Sequence, residues 1–160
     1  EFIALDDKIA TDYVTIECWY TRDSAGNGED IVWNKESSWE LRDNSGNLSW
    51  ALMASNQSWF WYDTGVNIAV GETAHIVLSY DGDYIYFYKN GVLESTYSYP
   101  GGGVLANQTS CYPKLNSRNC GRESVQNPGN HTFYQFRIYD RALTDEEVSH
   151  NYNSTKNKFL

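Results

Sequence analysis

Ser58-Trp-Phe-Trp-Tyr-Asp63 places two indoles and a carboxylate at alternate positions. Successive side chains of an extended strand point to opposite faces, so Trp59, Trp61 and Asp63 share one face and Phe60 and Tyr62 the other. The same period between Tyr84 and Lys89 separates Tyr84, Tyr86 and Tyr88 from Ile85 and Phe87. A sugar ring lays its apolar C–H face on such rings while Asp, Asn or Arg fixes its hydroxyls. The glycan-binding candidates are therefore Trp59, Trp61, Tyr86 and Tyr88 as an aromatic platform, with Asp63 or Arg137 beside it to orient hydroxyls. The competing role for each ring is to fill the space between two sheets.

Other chemistries find fewer residues. His75, His131 and His150 fall at a strand end, in a loop and in a helix, and none has a nucleophile or a metal-ligand partner at motif spacing. No nucleophile elbow or phosphate loop is present. Asp and Glu number 21 against 12 Lys and Arg, a net charge of -9. A field of that sign repels phosphate backbones, and no basic stripe interleaves with the aromatics, so nucleic acid is not an expected partner. Cys18 shares a strand face with Val14, Ile16 and Tyr20 and is expected to be a buried free thiol. Cys111 and Cys120 flank a polar loop and either pair or stand as free loop thiols.

The elements that must carry these residues read as strand and turn in alternation. Strands are expected at 13–20, 31–33, 39–42, 48–53, 58–62, 75–80 and 84–89, separated by Gly-, Asn- and Asp-rich turns. Asn90-Gly91 is a hairpin signal, since both positions tolerate the positive φ of a type I′ turn. An irregular region follows from Pro100 to about Asn130. The chain closes with a strand at 133–139, in which alternation puts Tyr134, Phe136 and Ile138 on one side and Gln135 and Arg137 on the other. Thr144 and Glu147 then form a capping box, and Leu143 and Val148 are spaced as its hydrophobic staple, so a short helix begins next to Thr144. Aromatics make up 16% of the residues, with 13 Tyr and 6 Trp, which suits a β-rich sandwich better than a helical enzyme. The expectation is one all-β domain over residues 1–160, a module of a longer protein. No apolar run is long enough to span a membrane and no leader is visible.

Four segments resemble one family in order and in register. Val14-Thr-Ile-Glu-Cys-Trp19, His75-Ile-Val-Leu-Ser-Tyr-Asp-Gly82, Tyr86-Phe-Tyr-Lys-Asn-Gly91 and Arg137-Ile-Tyr-Asp-Arg-Ala-Leu-Thr-Asp-Glu-Glu147 look like the conserved pieces of the laminin-G-like branch of the concanavalin A-like lectin and glucanase superfamily. The resemblance implies a two-sheet antiparallel jelly-roll sandwich with one short C-terminal helix. It does not imply one activity, because the fold serves many. Glucanase relatives carry catalytic carboxylates on alternate residues of one strand, and no E-x-D-x-x-E string occurs here. Related lectin-like domains often hold calcium with Asp or Glu beside the ligand, which makes Asp6, Asp7, Asp81, Asp83 and Asp140 the oxygens to consider. Yet where many members read IDEVRIYN this chain has Tyr134-Gln135-Phe136, without those acids, so no cofactor is expected. Family members also begin with a further strand ahead of the segment corresponding to Phe2-Ile-Ala-Leu5.

The tail from His150 to Phe159 resembles the endings of such domains in phage structural and bacterial surface proteins. Sequons at Asn47, Asn56, Asn107, Asn130 and Asn153 would be glycan acceptors only in a secreted eukaryotic setting. The function expected is a non-catalytic carbohydrate-binding or adhesion module of a virion or cell-surface protein, located outside the cell. Its partners would be glycans or a surface polysaccharide, together with neighbouring domains or subunits. A virion decoration domain without a small ligand, or a degenerate polysaccharide-degrading enzyme, are the alternatives.

Overall fold

The structure is a computed structural model and describes residues 2–5, 9–55, 58–99, 102–106 and 110–160. The strands are β1 (Ile3–Ala4), β2 (Val14–Arg22), β3 (Asp30–Lys35), β4 (Trp39–Asn44), β5 (Asn47–Leu52), β6 (Phe60–Asn67), β7 (Thr73–Tyr80), β8 (Tyr84–Lys89), β9 (Val92–Ser98), β10 (Lys114–Leu115) and β11 (His131–Tyr139), followed by the helix α1 (Asp145–Phe159). They form two antiparallel sheets, β1-β10-β3-β4-β5-β6 (sheet A) and β11-β2-β7-β8-β9 (sheet B). The two sheets stack as a jelly-roll sandwich.

Alternation decides what lies between them. From sheet A the row Trp33, Leu41, Trp50 and Tyr62 points inward, each residue opposite the next across the ladder. From sheet B, Val14, Ile16, Cys18 and Tyr20 meet Ile76, Leu78, Ile85 and Phe87, all fully buried. Cys18 is thus the buried free thiol that was expected. A buried ion pair, Arg22 Nε to Asp43 Oδ2 at 2.5 Å, ties the two sheets together. Burial pushes the Asp43 carboxyl up, but His131, the Gly46 amide and Arg22 outweigh it and hold it below the usual range.

Beyond the expected strands the structure adds β9, the partner that the Asn90-Gly91 hairpin signal calls for, and β1 and β10, each of two residues and too brief to show a period. The Asn90-Gly91 turn has both residues at positive φ, 52° and 78°, as the hairpin signal requires. The face expected for Tyr134 is corrected. A register shift between Phe133 and Gln135 inserts one extra residue opposite β2, so Phe133, Phe136 and Ile138 meet the core while Tyr134 turns outward to Thr21 and Phe159.

Helix α1 starts where the capping box placed it. Thr144 Oγ1 accepts from the Glu147 amide at 3.3 Å, and Glu147 Oε2 accepts from the Thr144 amide at 3.0 Å. Leu143 and Val148 share a small cluster with Val77 and Tyr88. The helix runs 15 residues, longer than the cap alone indicates, because its face covers sheet B. Tyr152 stacks on Trp19 at 5.6 Å, and the Trp19 indole N–H donates to Thr155 Oγ1 at 2.9 Å. No helix among the described residues is long and apolar enough to cross a membrane. Cys111 and Cys120 form a disulfide.

Candidate functional site

The outer face of sheet A is built by the β4–β5–β6 meander. Register places Asn34, Glu40, Ala51 and Trp61 in one row, and Arg42, Ser49 and Asp63 in the next. All project away from the core, because their neighbours Trp33, Leu41, Trp50 and Tyr62 project into it. The Arg42 guanidinium lies over Trp61, 4.0 Å from the ring centroid, and the Trp59 ring meets Trp61 edge-on at 5.9 Å. Arg118, inside the loop closed by the Cys111–Cys120 disulfide, approaches the same indole at 5.9 Å. Its guanidinium donates to both oxygens of buried Glu40, through Nε at 2.9 Å and through Nη2, and Asn34 Nδ2 donates to the same carboxylate. Burial pushes the Glu40 carboxyl up, and Arg118 only partly offsets this. Trp59 and Trp61 are both partly exposed, and Asp63 is exposed with Oδ1 accepting from the Gly65 amide at 2.9 Å.

The face is held from two sides. Beneath it, Tyr62 stacks on Trp50 at 4.5 Å, and the Tyr97 hydroxyl from β9 donates to the Asp63 carbonyl. Beside it, Lys114 Nζ, wholly buried, donates to the carbonyls of Gly121 and Ser124 at 2.5 Å each and fixes the segment that delivers Arg118.

The single aromatic platform expected from the sequence is corrected to two groups on opposite faces of the sandwich. Tyr86 and Tyr88 do share the outward face of β8, but that face belongs to sheet B. Tyr88 is only 2% exposed beneath α1, and its hydroxyl donates to Asp145 at 2.8 Å. The Tyr86 hydroxyl donates to Asp81 at 2.9 Å, and burial together with that carboxylate pushes it up to about 12. Arg137 also lies on sheet B, donating to Glu17 Oε1 at 2.7 Å. Trp59, Trp61 and Asp63 stay together, and neither Tyr86, Tyr88 nor Arg137 joins them. Sequence reasoning missed Arg42 and Arg118. Alternation along Trp39–Arg42 does put Glu40 and Arg42 on the face opposite Trp39 and Leu41, whereas no local signal brings Arg118 across from a loop.

The remaining candidates have other roles. His75 is fully buried against Trp19 and Tyr152, with Nε2 3.2 Å from Glu17 but off the line of a hydrogen bond. His131 Nδ1 pairs with Asn116 Oδ1 at 2.8 Å, and His150 is exposed on α1. Asp81 closes the β7–β8 turn, accepting from the amides of Asp83 and Tyr84 at 2.9 and 2.7 Å. Asp140 is exposed, and Asp6 and Asp7 lie outside the described residues. Among the described residues no three His, Cys, Asp or Glu side chains converge as a metal site. A groove of about 620 Å³ lies elsewhere, between α1 and the β8–β9 hairpin, lined by Tyr88, Val92, Leu93, Asp145, Glu146 and His150 among others.

A family model described as the concanavalin A-like lectin/glucanases superfamily matches residues 3–149. The chain belongs to that superfamily. A direct comparison with curated protein sequences finds no match. Among solved structures, this superfamily member is similar to the CBM40 of the Ruminococcus gnavus IT-sialidase bound to α2,3-sialyllactose, with a TM-score of 0.70 at 14% identity over 89% of this chain and 83% of that one. The binding domain of Paraclostridial Mosquitocidal Protein 1 gives 0.67 at 22% identity over 91% of this chain. The binding domain of botulinum neurotoxin DC in complex with SialylT gives 0.67 at 13% identity over 89%. The chain spans only 38% and 35% of the two toxin structures. Identities this low establish the fold that these proteins share.

Proposed function

We propose that this domain is a non-catalytic glycan-binding module that reads its ligand on the outer face of sheet A, and that it works outside the cell as part of a larger surface protein. The observation that carries the reading is the grouping of Trp59 and Trp61 with Arg42 and Arg118 on a face fixed from below by Tyr62 and Tyr97. Partly exposed indoles offer a stacking surface, and Asp63, Ser49 and the guanidiniums offer hydroxyl partners around it. Similar structures bound to sialyllactose and SialylT support a sugar as the ligand class. Glu40 argues for binding without catalysis, because both its oxygens are occupied by Arg118 and Asn34, whereas a glycosidase needs a free pair of carboxyl groups across the scissile bond. The disulfide suits an oxidising, extracellular setting.

The test is a glycan array probed with the purified domain and with Trp59→Ala and Trp61→Ala, each variant also melted. The expected result is a glycan signal in the parent that both variants lose while Trp59→Ala melts within a few degrees of it. If both variants lose many degrees, the rings are packing and the site is wrong. Binding that survives loss of both rings places the ligand elsewhere.

A further inference from the structure

We infer that the sheet A site selects uncharged sugars and discriminates against glycans that carry a carboxylate. The inference rests on the reading of that face as a glycan site and adds the ligand class. Acidic glycans are usually gripped by an open guanidinium fork, which matches a carboxylate with two parallel hydrogen bonds. Neither arginine here presents an open Nε–Nη fork. The Arg118 fork is spent on Glu40, with Nε and Nη2 on the two oxygens. Arg42 lies over Trp61, its Nη1 is 3.5 Å from Glu29, and its Nε is covered and without a partner.

The charges around the rings point the same way. Glu29, Glu36, Glu40 and Asp63 bear on this face against Arg42, Arg118 and Lys114, and Lys114 turns its ammonium to the Gly121 and Ser124 carbonyls. One Glu36 oxygen and the Asn34 Oδ1, both buried, have no hydrogen-bond donor. The carboxylates open to a ligand on this face are those of Glu29 and Asp63, both exposed. A neutral sugar supplies hydroxyl donors, whereas a carboxylate supplies none and adds negative charge to a protein already at -9.

The experiment is calorimetric titration, at low salt, of matched pairs: lactose against α2,3-sialyllactose, and other neutral oligosaccharides against their uronic-acid counterparts. In any pair that binds, the neutral member should bind at least about tenfold more tightly, since a like charge within a few ångströms is repelled even in partly hydrated surroundings. Glu29→Gln, an exposed change that releases Arg42, should strengthen the acidic member about threefold and leave the neutral one unchanged. An acidic member that binds more tightly than its neutral partner, and loses that binding in Trp59→Ala and Trp61→Ala, overturns the ligand class and leaves the site standing. No binding by any pair, or binding indifferent to both tryptophans, removes the site and this inference with it.

Discussion

Glu17 is the residue whose replacement should most clearly separate α1 from the sandwich. Its side chain is wholly buried between sheet B and the helix, and it accepts from Arg137 Nη1 at 2.7 Å, Asn151 Nδ2 at 2.8 Å and the Tyr139 hydroxyl at 3.0 Å. Asn151 belongs to α1, so the carboxylate is a direct bond between sheet and helix. Glu17→Ala leaves these donors facing a cavity. Removing one partner of a buried, hydrogen-bonded charge typically costs about 3–5 kcal/mol. Glu17→Gln keeps the shape and loses the charge, which should cost about 2 kcal/mol. Burial pushes the Glu17 carboxyl up, but the imidazole of His75, then Arg137 and Tyr139, outweigh it and hold it below the usual carboxylate range. A carboxyl depressed in the folded state stabilises the fold above its unfolded pKa, and that contribution disappears as pH falls through the lower folded value. The stability difference between parent and Glu17→Gln, from urea unfolding at a series of pH values, should thus be full near neutrality and shrink on acidification. Hydrogen exchange of the α1 amides should accelerate in Glu17→Ala before the strands are affected. A loss below about 1 kcal/mol in Glu17→Ala, or a difference that grows in acid, would refute this account.

Three further outcomes follow from the packing. Trp50→Ala, at a fully buried ring stacked on Tyr62, should cost about 3–5 kcal/mol in denaturant unfolding, whereas Trp59→Ala should cost less than about 1. Thr144→Ala removes the helix cap and should lower stability by about 1 kcal/mol, read from the same unfolding curves. Thiol titration should find no reactive group in the native protein, one in denaturant and three after reduction, and breaking the Cys111–Cys120 bond should cost about 2–3 kcal/mol.

The helix and most strands were legible because they rest on local rules. Thr144 and Glu147 announce a helix start wherever they occur before an apolar run, and alternation along 84–89 separates Ile85 and Phe87 from the three tyrosines without knowledge of the fold. What alternation cannot supply is which outward face receives a covering element. Tyr88 and Trp61 look alike in sequence, yet α1 lies over one and leaves the other partly open, and that depends on contacts between Trp19 and Tyr152, 133 positions apart. Tyr134 was misplaced because a bulge shifts the period by one residue and has no signature in its side chains. Arg118 reaches Trp61 from an irregular loop held by the Cys111–Cys120 bond, by the buried Lys114 ammonium on two backbone carbonyls and by its own pair with Glu40, none of which is a local signal.

The strand that turns Trp61 outward also turns Tyr62 inward onto Trp50, and its Asp63 carbonyl is tethered by Tyr97. Of the two rings proposed for a ligand, Trp61 is therefore mounted on a core strand, while Trp59 stands just ahead of it. On the proposed reading, the Trp61 strand needs no rearrangement before capture, so association would run at the rate of encounter and the weakness of a shallow contact would show as brief residence. A short-lived hold becomes firm when several copies face the same array, because each release is followed by recapture at high local concentration. If the proposed site holds, such a face would cling to repetitive surfaces through many fleeting contacts.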